Sequence, residues 1–167
     1  DRRSGARDTE HRRTVLNPLR DANLRHLGAD TAGAVDIYTC RDAGLSDERV
    51  EWLVETGRWQ SPFPRTYVTF SGPPPLATIQ FAAIKYAGDG ATLSHETAGA
   101  LWQLNRVPAL VHLTVPYRRE VEDQPGIRLH RSRTLSAESV HQAFRPSRTT
   151  IERAAAELGE LVEGVHP

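Results

Sequence analysis

The run Ser71-Gly72-Pro73-Pro74-Pro75 constrains this chain more than any other stretch. Proline fixes φ and lacks a backbone N–H, so neither a sheet ladder nor a helix interior passes through three in a row. Whatever precedes must end there, and a helix can open at Pro75. The break divides a chain of 167 residues, 38% of them hydrophobic, long enough for one ordinary domain or two small ones. The expected organisation is an arm and short helix over 1–28, a compact unit over 29–72 and a second unit over 73–167.

Ahead of the break, Asp1 to Arg13 is polar and Arg-rich without apolar periodicity, which predicts a mobile arm. Asn17 and Pro18 can start a helix striped by Leu19, Leu24 and Leu27, with Gly28 ending it. Thr31 to Ala43 is weakly helical, with Val35, Ile37, Tyr38 and Cys40 expected inside and Gly44 closing it. The next helix is better specified. Ser46 is an N-cap, Asp47 and Glu48 suit the positive first turn, Leu45 and Val50 stand at staple spacing, and Gly57 stops it. Arg58 to Gln60 and Arg65 to Phe70 then read as strands around Ser61-Pro62-Phe63-Pro64. Helix, turn, helix and hairpin is the order of a winged helix-turn-helix.

Beyond the break, Leu76, Ile79, Ala83 and Ala87 recur at helical spacing before Gly88, and Ser94 caps a helix containing Ala98, Leu101, Trp102 and Leu104. After Pro108 the period changes to two. Ala109, Val111, Leu113 and Val115 alternate with Leu110, His112 and Thr114, and Ile127 and Leu129 alternate with Arg128 and His130. These two strands predict a hairpin with a long polar connection, and a last helix runs from about Arg148 to Val162. The fold class is therefore α+β: a winged helix-turn-helix, then a small domain of helices packed on an antiparallel sheet.

Several phrases in order, "GRWQ", "RTYVTFSGP", "AGDGATLSHETAGALWQL", "VHLTVPYRRE", "PGIRLHRSRTL" and "PSRTTIERAA", together resemble the N-terminal winged-helix region of AbiEi-type antitoxins of type IV toxin-antitoxin systems. The same region is found in actinobacterial proteins that continue into a very-short-patch-repair-like endonuclease domain. The similarity covers roughly Ala32 to Leu158. It implies an autoregulating antitoxin whose winged helix binds operator DNA, while the rest counters a nucleotidyltransferase-like toxin without stable contact. The alternatives are the non-catalytic front region of a nuclease-like protein, or a protein-interaction module. Many relatives are basic along the helix before "GRW"; this chain is acidic there.

Formal net charge is zero, so any attraction to nucleic acid must be local. Asp47, Glu51 and Glu55 form one acidic stripe opposed to a duplex that carries one charge per about 1.7 Å. The candidate DNA contacts therefore lie beside it: Arg49 and Trp52 on the next stripe, Arg58, Gln60 and Arg65 on the wing, and Arg12 and Arg13 in the arm. Against that stands the reading in which Arg58 and Arg65 are solvated hairpin ends and Trp59 is core. A second basic surface comprises Arg118, Arg119, Arg128, His130, Arg131 and Arg133. His112 and His130 are expected to share the non-core, solvated face of the strands. All the basic residues but Lys85 are arginine, which suits phosphate contacts and which a GC-rich coding bias would also produce.

No catalytic motif stands out. "HETAG" at His95 has Gly99 where a zinc-binding helix needs its second histidine, and neither G-x-S-x-G nor a phosphate-binding P-loop occurs. Neither cofactor nor metal is expected. Cys40, the single cysteine, reads as core filler and excludes an internal disulfide. No apolar run is long enough for a membrane span, which points to a soluble cytoplasmic protein. The lack of methionine, even at the start, suggests a piece of a longer product.

Overall fold

The computed structural model describes Leu24 and residues 26–163, so Arg12, Arg13 and the proposed helix start at Asn17 lie outside the described residues. Among these, α-helices and two three-stranded sheets make a mixed α+β structure.

The first sheet is built from β1 (Ala34–Asp36), β2 (Gln60–Phe63) and β3 (Thr66–Val68), with α1 (Ile37–Asp42) and α2 (Asp47–Glu55) between β1 and β2. Both pairings are antiparallel and the order is β1-β3-β2. Thr31 to Ala43 is thus not one weak helix. Asp36 divides it: its Oδ1 accepts the Thr39 N–H at 2.7 Å, which caps α1 and leaves Ala34–Asp36 free to pair with β3. Val35, Ile37 and Cys40 are buried as expected, but Tyr38 is 61% exposed. Ser46 caps α2 by accepting the Arg49 N–H at 3.2 Å, and Gly57, at φ 69°, ends it. The hairpin turns at Pro64 and Arg65 rather than across Ser61 to Pro64. Pro62 therefore sits inside β2, which is tolerated because β2 is an edge strand.

The second sheet has order β4-β5-β6, from Thr92–Leu93, Val111–Pro116 and Ile127–Ser132. The expected hairpin is corrected here. β5 and β6 are parallel, Val111 facing Ile127 and Pro116 facing Ser132, while β4 pairs antiparallel with β5. A ten-residue connection, 117–126, can reach about 33 Å, ample to return along a six-residue strand of about 20 Å. The solvated face is corrected too. His112 and Thr114 are buried, at 8% and 1% exposure, beneath α4 (His95–Leu101), on which α5 (Ile151–Glu163) packs in turn. Strands buried on both faces are the habit of parallel pairs. Gly99 permits this cover: a Cβ there would collide with Asn105 and Leu158.

Between the sheets runs α3 (Leu76–Ala87). Ala82, Ala83 and Ala87 are fully buried, in one core with Ala34 and Phe63 of the first sheet and Leu93, Leu113, Val115 and Ile127 of the second. Thr78 donates to Ala32 O at 2.8 Å, and Lys85 pairs with Asp36 at 3.0 Å. The proline break separates elements, while the core continues across it. A smaller core of Val35, Ile37, Cys40, Val50, Leu53 and Trp59 lies under α1 and α2. No helix among the described residues is long and apolar enough to cross a membrane.

Candidate functional site

Trp52, 36% exposed on α2, carries two arginines. Arg49, one turn earlier, places Cζ 4.3 Å from the indole centroid, and Arg58, brought back by the turn at Gly57, places its own at 4.9 Å. Such contacts are worth about 0.5–1 kcal/mol each at exposed sites, enough to bias where a guanidinium sits. At the hairpin apex Arg65, at φ 57°, lies 5.1 Å from the Tyr38 ring on α1.

The acidic stripe is partly neutralised. Arg41 Nε lies 2.9 Å from Asp47 Oδ1 and its Nη2 reaches Oδ2, a bidentate pair that holds the Asp47 carboxyl below its ordinary pKa. Glu51 and Glu55 remain exposed. Arg41 escaped sequence reasoning because it reaches Asp47 across the α1–α2 turn, not along one helix. Gln60 is committed internally: its Nε2 donates to Phe70 O at 2.9 Å and Gly72 O at 2.7 Å, leaving no amide donor for a base edge. Trp59 is core, 5% exposed. So is Cys40, whose thiol burial, with Asp36 nearby, pushes up to about 12.

The members of the second basic set stand in different settings. Arg119 donates to Ala87 O at the C-terminus of α3, a structural tie. Arg118, Arg128, Arg131 and Arg133 are exposed, Arg133 lying 4.1 Å over Tyr117. His130 belongs instead to a covered cluster. Its ring stacks on His95 at 3.5 Å and 11°, and its Nε2 lies 3.2 Å from His112 Nδ1, whose Nε2 is 3.0 Å from Glu96. Beneath them Glu157, 6% exposed, accepts the His95 N–H at 2.9 Å and Arg153 Nε at 2.8 Å. Burial first, then neighbouring charge, lowers His95 and His130 to about 4, so both are neutral near pH 7. His95, at φ 47°, holds a left-handed conformation costly for a side chain of its size.

These rings border an open groove of about 430 Å³ between β6 and α5, shared with Thr114, Ser132 and Arg153. Arg153 is spent on Glu157, Thr134 O and the hydroxyls of Ser132 and Ser139, and Ser94 beside His95 is fully buried. No group of three or more His, Cys, Asp or Glu among the described residues is placed to hold a metal. The sequence signalled His112 and His130 by alternation, but nothing in its spacing joined His95 to them. A second groove, about 420 Å³ and apolar, lies between the start of α3 and Val107 to Leu110.

No family model matches the chain, and no curated protein matches it significantly.

Proposed function

We propose that this chain is a DNA-binding module of winged-helix type, acting as a transcriptional autorepressor or antitoxin of the AbiEi kind rather than as an enzyme. The observation that carries the reading is topological. A strand precedes two helices and pairs with the returning arm of the following hairpin, giving the order β1-β3-β2 around α1 and α2. That is how a winged helix ties its hairpin beside its second helix. The charge arrangement supports it: Arg49 and Arg58 share the Trp52 ring at one edge of α2, Arg65 occupies the hairpin apex, and Arg41 offsets Asp47. Contact with the duplex then runs through the edge of α2 and the wing, beside the stripe of Glu51 and Glu55. The arm residues Arg12 and Arg13 would add to it.

Fluorescence anisotropy of the full chain with DNA from upstream of its own gene, over a salt series, tests this. Binding should weaken steeply with salt, and Arg58→Ala should lower the slope of log K against log salt by about one. Salt-insensitive or undetectable binding at 50 mM salt sinks the reading.

A further inference from the structure

The segment 147–149 is pinned on both edges. Leu93 donates to Ser147 O at 3.0 Å and accepts from Thr149 N at 2.8 Å, and Arg148 O accepts the His141 N–H at 2.9 Å. The hydroxyls of Ser147 and Thr149 turn one way, toward Thr92 and Glu157. Alternation sends the Arg148 side chain the other way. There its Cζ lies 4.7 Å from the Phe144 ring centroid and 5.6 Å from that of Trp102. The two rings meet edge to face at 5.3 Å, and His141 packs on both, 4.6 Å from Phe144 and 5.5 Å from Trp102.

Arg148 is 8% exposed, yet none of the described residues accepts a hydrogen bond from its guanidinium, and its Nε is buried without a partner. Aromatic faces attract the cation but leave the in-plane N–H groups unsatisfied. Burial lowers the guanidinium pKa, and no acid among the described residues acts in the other direction. A buried charge without a counter-charge is costly, which makes this a place where an external anion would be stabilised. His141 adds a donor: its Nδ1 accepts the Ala143 N–H at 3.3 Å, which leaves Nε2 as the ring's N–H. Phe144, 42% exposed, opens the cluster to solvent beside the exposed Arg145.

We propose that Arg148, His141 and the Trp102–Phe144 pair bind a phosphate group, carried either by a free mononucleotide or by a nucleic-acid backbone. Phosphate suits the arrangement better than carboxylate because its additional oxygens can engage the guanidinium edge and the imidazole together. The exposed Phe144 ring offers a face for a base. The site stands apart from the α2 and wing face and does not rest on the winged-helix reading.

NMR titration of the full chain, following the Trp102 Nε1–H and Arg148 Nε–H signals at constant ionic strength, tests it with four probes: inorganic phosphate, adenosine monophosphate, a short single-stranded oligonucleotide and acetate. Phosphate should shift both signals saturably and acetate should not. A mononucleotide saturating about tenfold below phosphate identifies the free nucleotide as the source, and an oligonucleotide saturating lower still identifies the backbone. In Arg148→Met the saturable shift of Trp102 should vanish, while the melting temperature in phosphate-free buffer should hold or rise, since an unpaired charge has gone. Phe144→Leu should weaken the mononucleotide more than inorganic phosphate, since it removes the face for a base as well as one ring against Arg148. An equal response to acetate, a shift that never saturates, or saturation retained in Arg148→Met would overturn the proposal.

Discussion

The imidazoles of His95 and His130 stack with centroids 3.5 Å apart and planes within 11°, an arrangement that tolerates two neutral rings and resists two charged ones. Both have pKa values lowered from 6.5 to about 4, by burial first and by neighbouring histidine charge second. An unfolded chain binds protons on these rings below about 6.5 while the folded chain does not. Their contribution is therefore complete above about pH 6.5 and is lost as pH falls toward 4. His112, also lowered, faces Glu96 and Arg128, and Glu157 and Arg153 close the other side. Thermal melts from pH 7.5 to 4.5 should show a progressive fall in melting temperature, and His130→Gln should flatten it. A melting temperature constant between pH 7 and 5 contradicts the neutral stack.

Asp36 joins three elements at once. It ends β1, caps α1 through the Thr39 N–H and pairs with Lys85 of α3 at 3.0 Å, both side chains roughly four-fifths covered. Burial alone would raise its carboxyl pKa, but the bonds from Thr39 and Lys85 hold it below 3.8. Asp36→Ala should cost about 2 kcal/mol at neutral pH, from the lost cap together with the ammonium left without a partner. Urea unfolding measures it. Lys85→Met should recover part of the loss in the double variant, and a cost of only a few tenths would mean the tie between β1 and α3 is not an energetic one. The stability Asp36 supplies is lost below about pH 3.8, beneath the histidine window.

The elements legible in the sequence were those with local signatures. Ser46 with Asp47 and Glu48 marked the start of α2, Pro75 and Gly88 bracketed α3, and alternation from Val111 to Val115 marked β5. What stayed hidden depended on distant partners. Nothing between Tyr117 and Gly126 states whether the chain reverses or returns, so the parallel pairing of β5 and β6 could not be read locally. His112 resembled a solvated residue because its cover, α4, comes from a separate segment that packs in turn on α5, with Gly99 at that contact. Gln60 and Arg119 looked like free polar groups because their acceptors are backbone carbonyls ten or more residues away.

Arg119 and Gly88 form a second tie. The Arg119 guanidinium caps the carbonyl end of α3 at Ala87, in the space a Cβ at position 88 would occupy, and Gly88 has φ 80°. Gly88→Ala should destabilise by about 1–3 kcal/mol, through the left-handed conformation and the displaced arginine together. Arg119→Ala should cost about 1 kcal/mol and leave DNA affinity unchanged. In the double variant the steric part should vanish, leaving a total below the sum. Denaturant midpoints and DNA anisotropy separate these, and a loss of DNA binding in Arg119→Ala with stability intact would return this residue to the interface.

The acids on α2 bear on the DNA reading through Arg41. Its bidentate contact with Asp47 lies on the surface, with side chains 46% and 48% exposed, so its effect on folding is small while its effect on local potential is not. Arg41→Ala removes the bidentate partner of Asp47 and leaves its negative charge near Arg65, on the helix that also carries Arg49. DNA affinity at 50 mM salt should fall about two- to five-fold, with unchanged melting temperature. Asp47→Asn alone should bind as tightly as the parent or tighter, and the double substitution should return close to parental affinity, because what Arg41 supplies here is cancellation of a nearby negative charge. If the double variant binds no better than Arg41→Ala, Arg41 touches the phosphates itself. The interface then extends across the α1–α2 turn instead of stopping at the edge of α2.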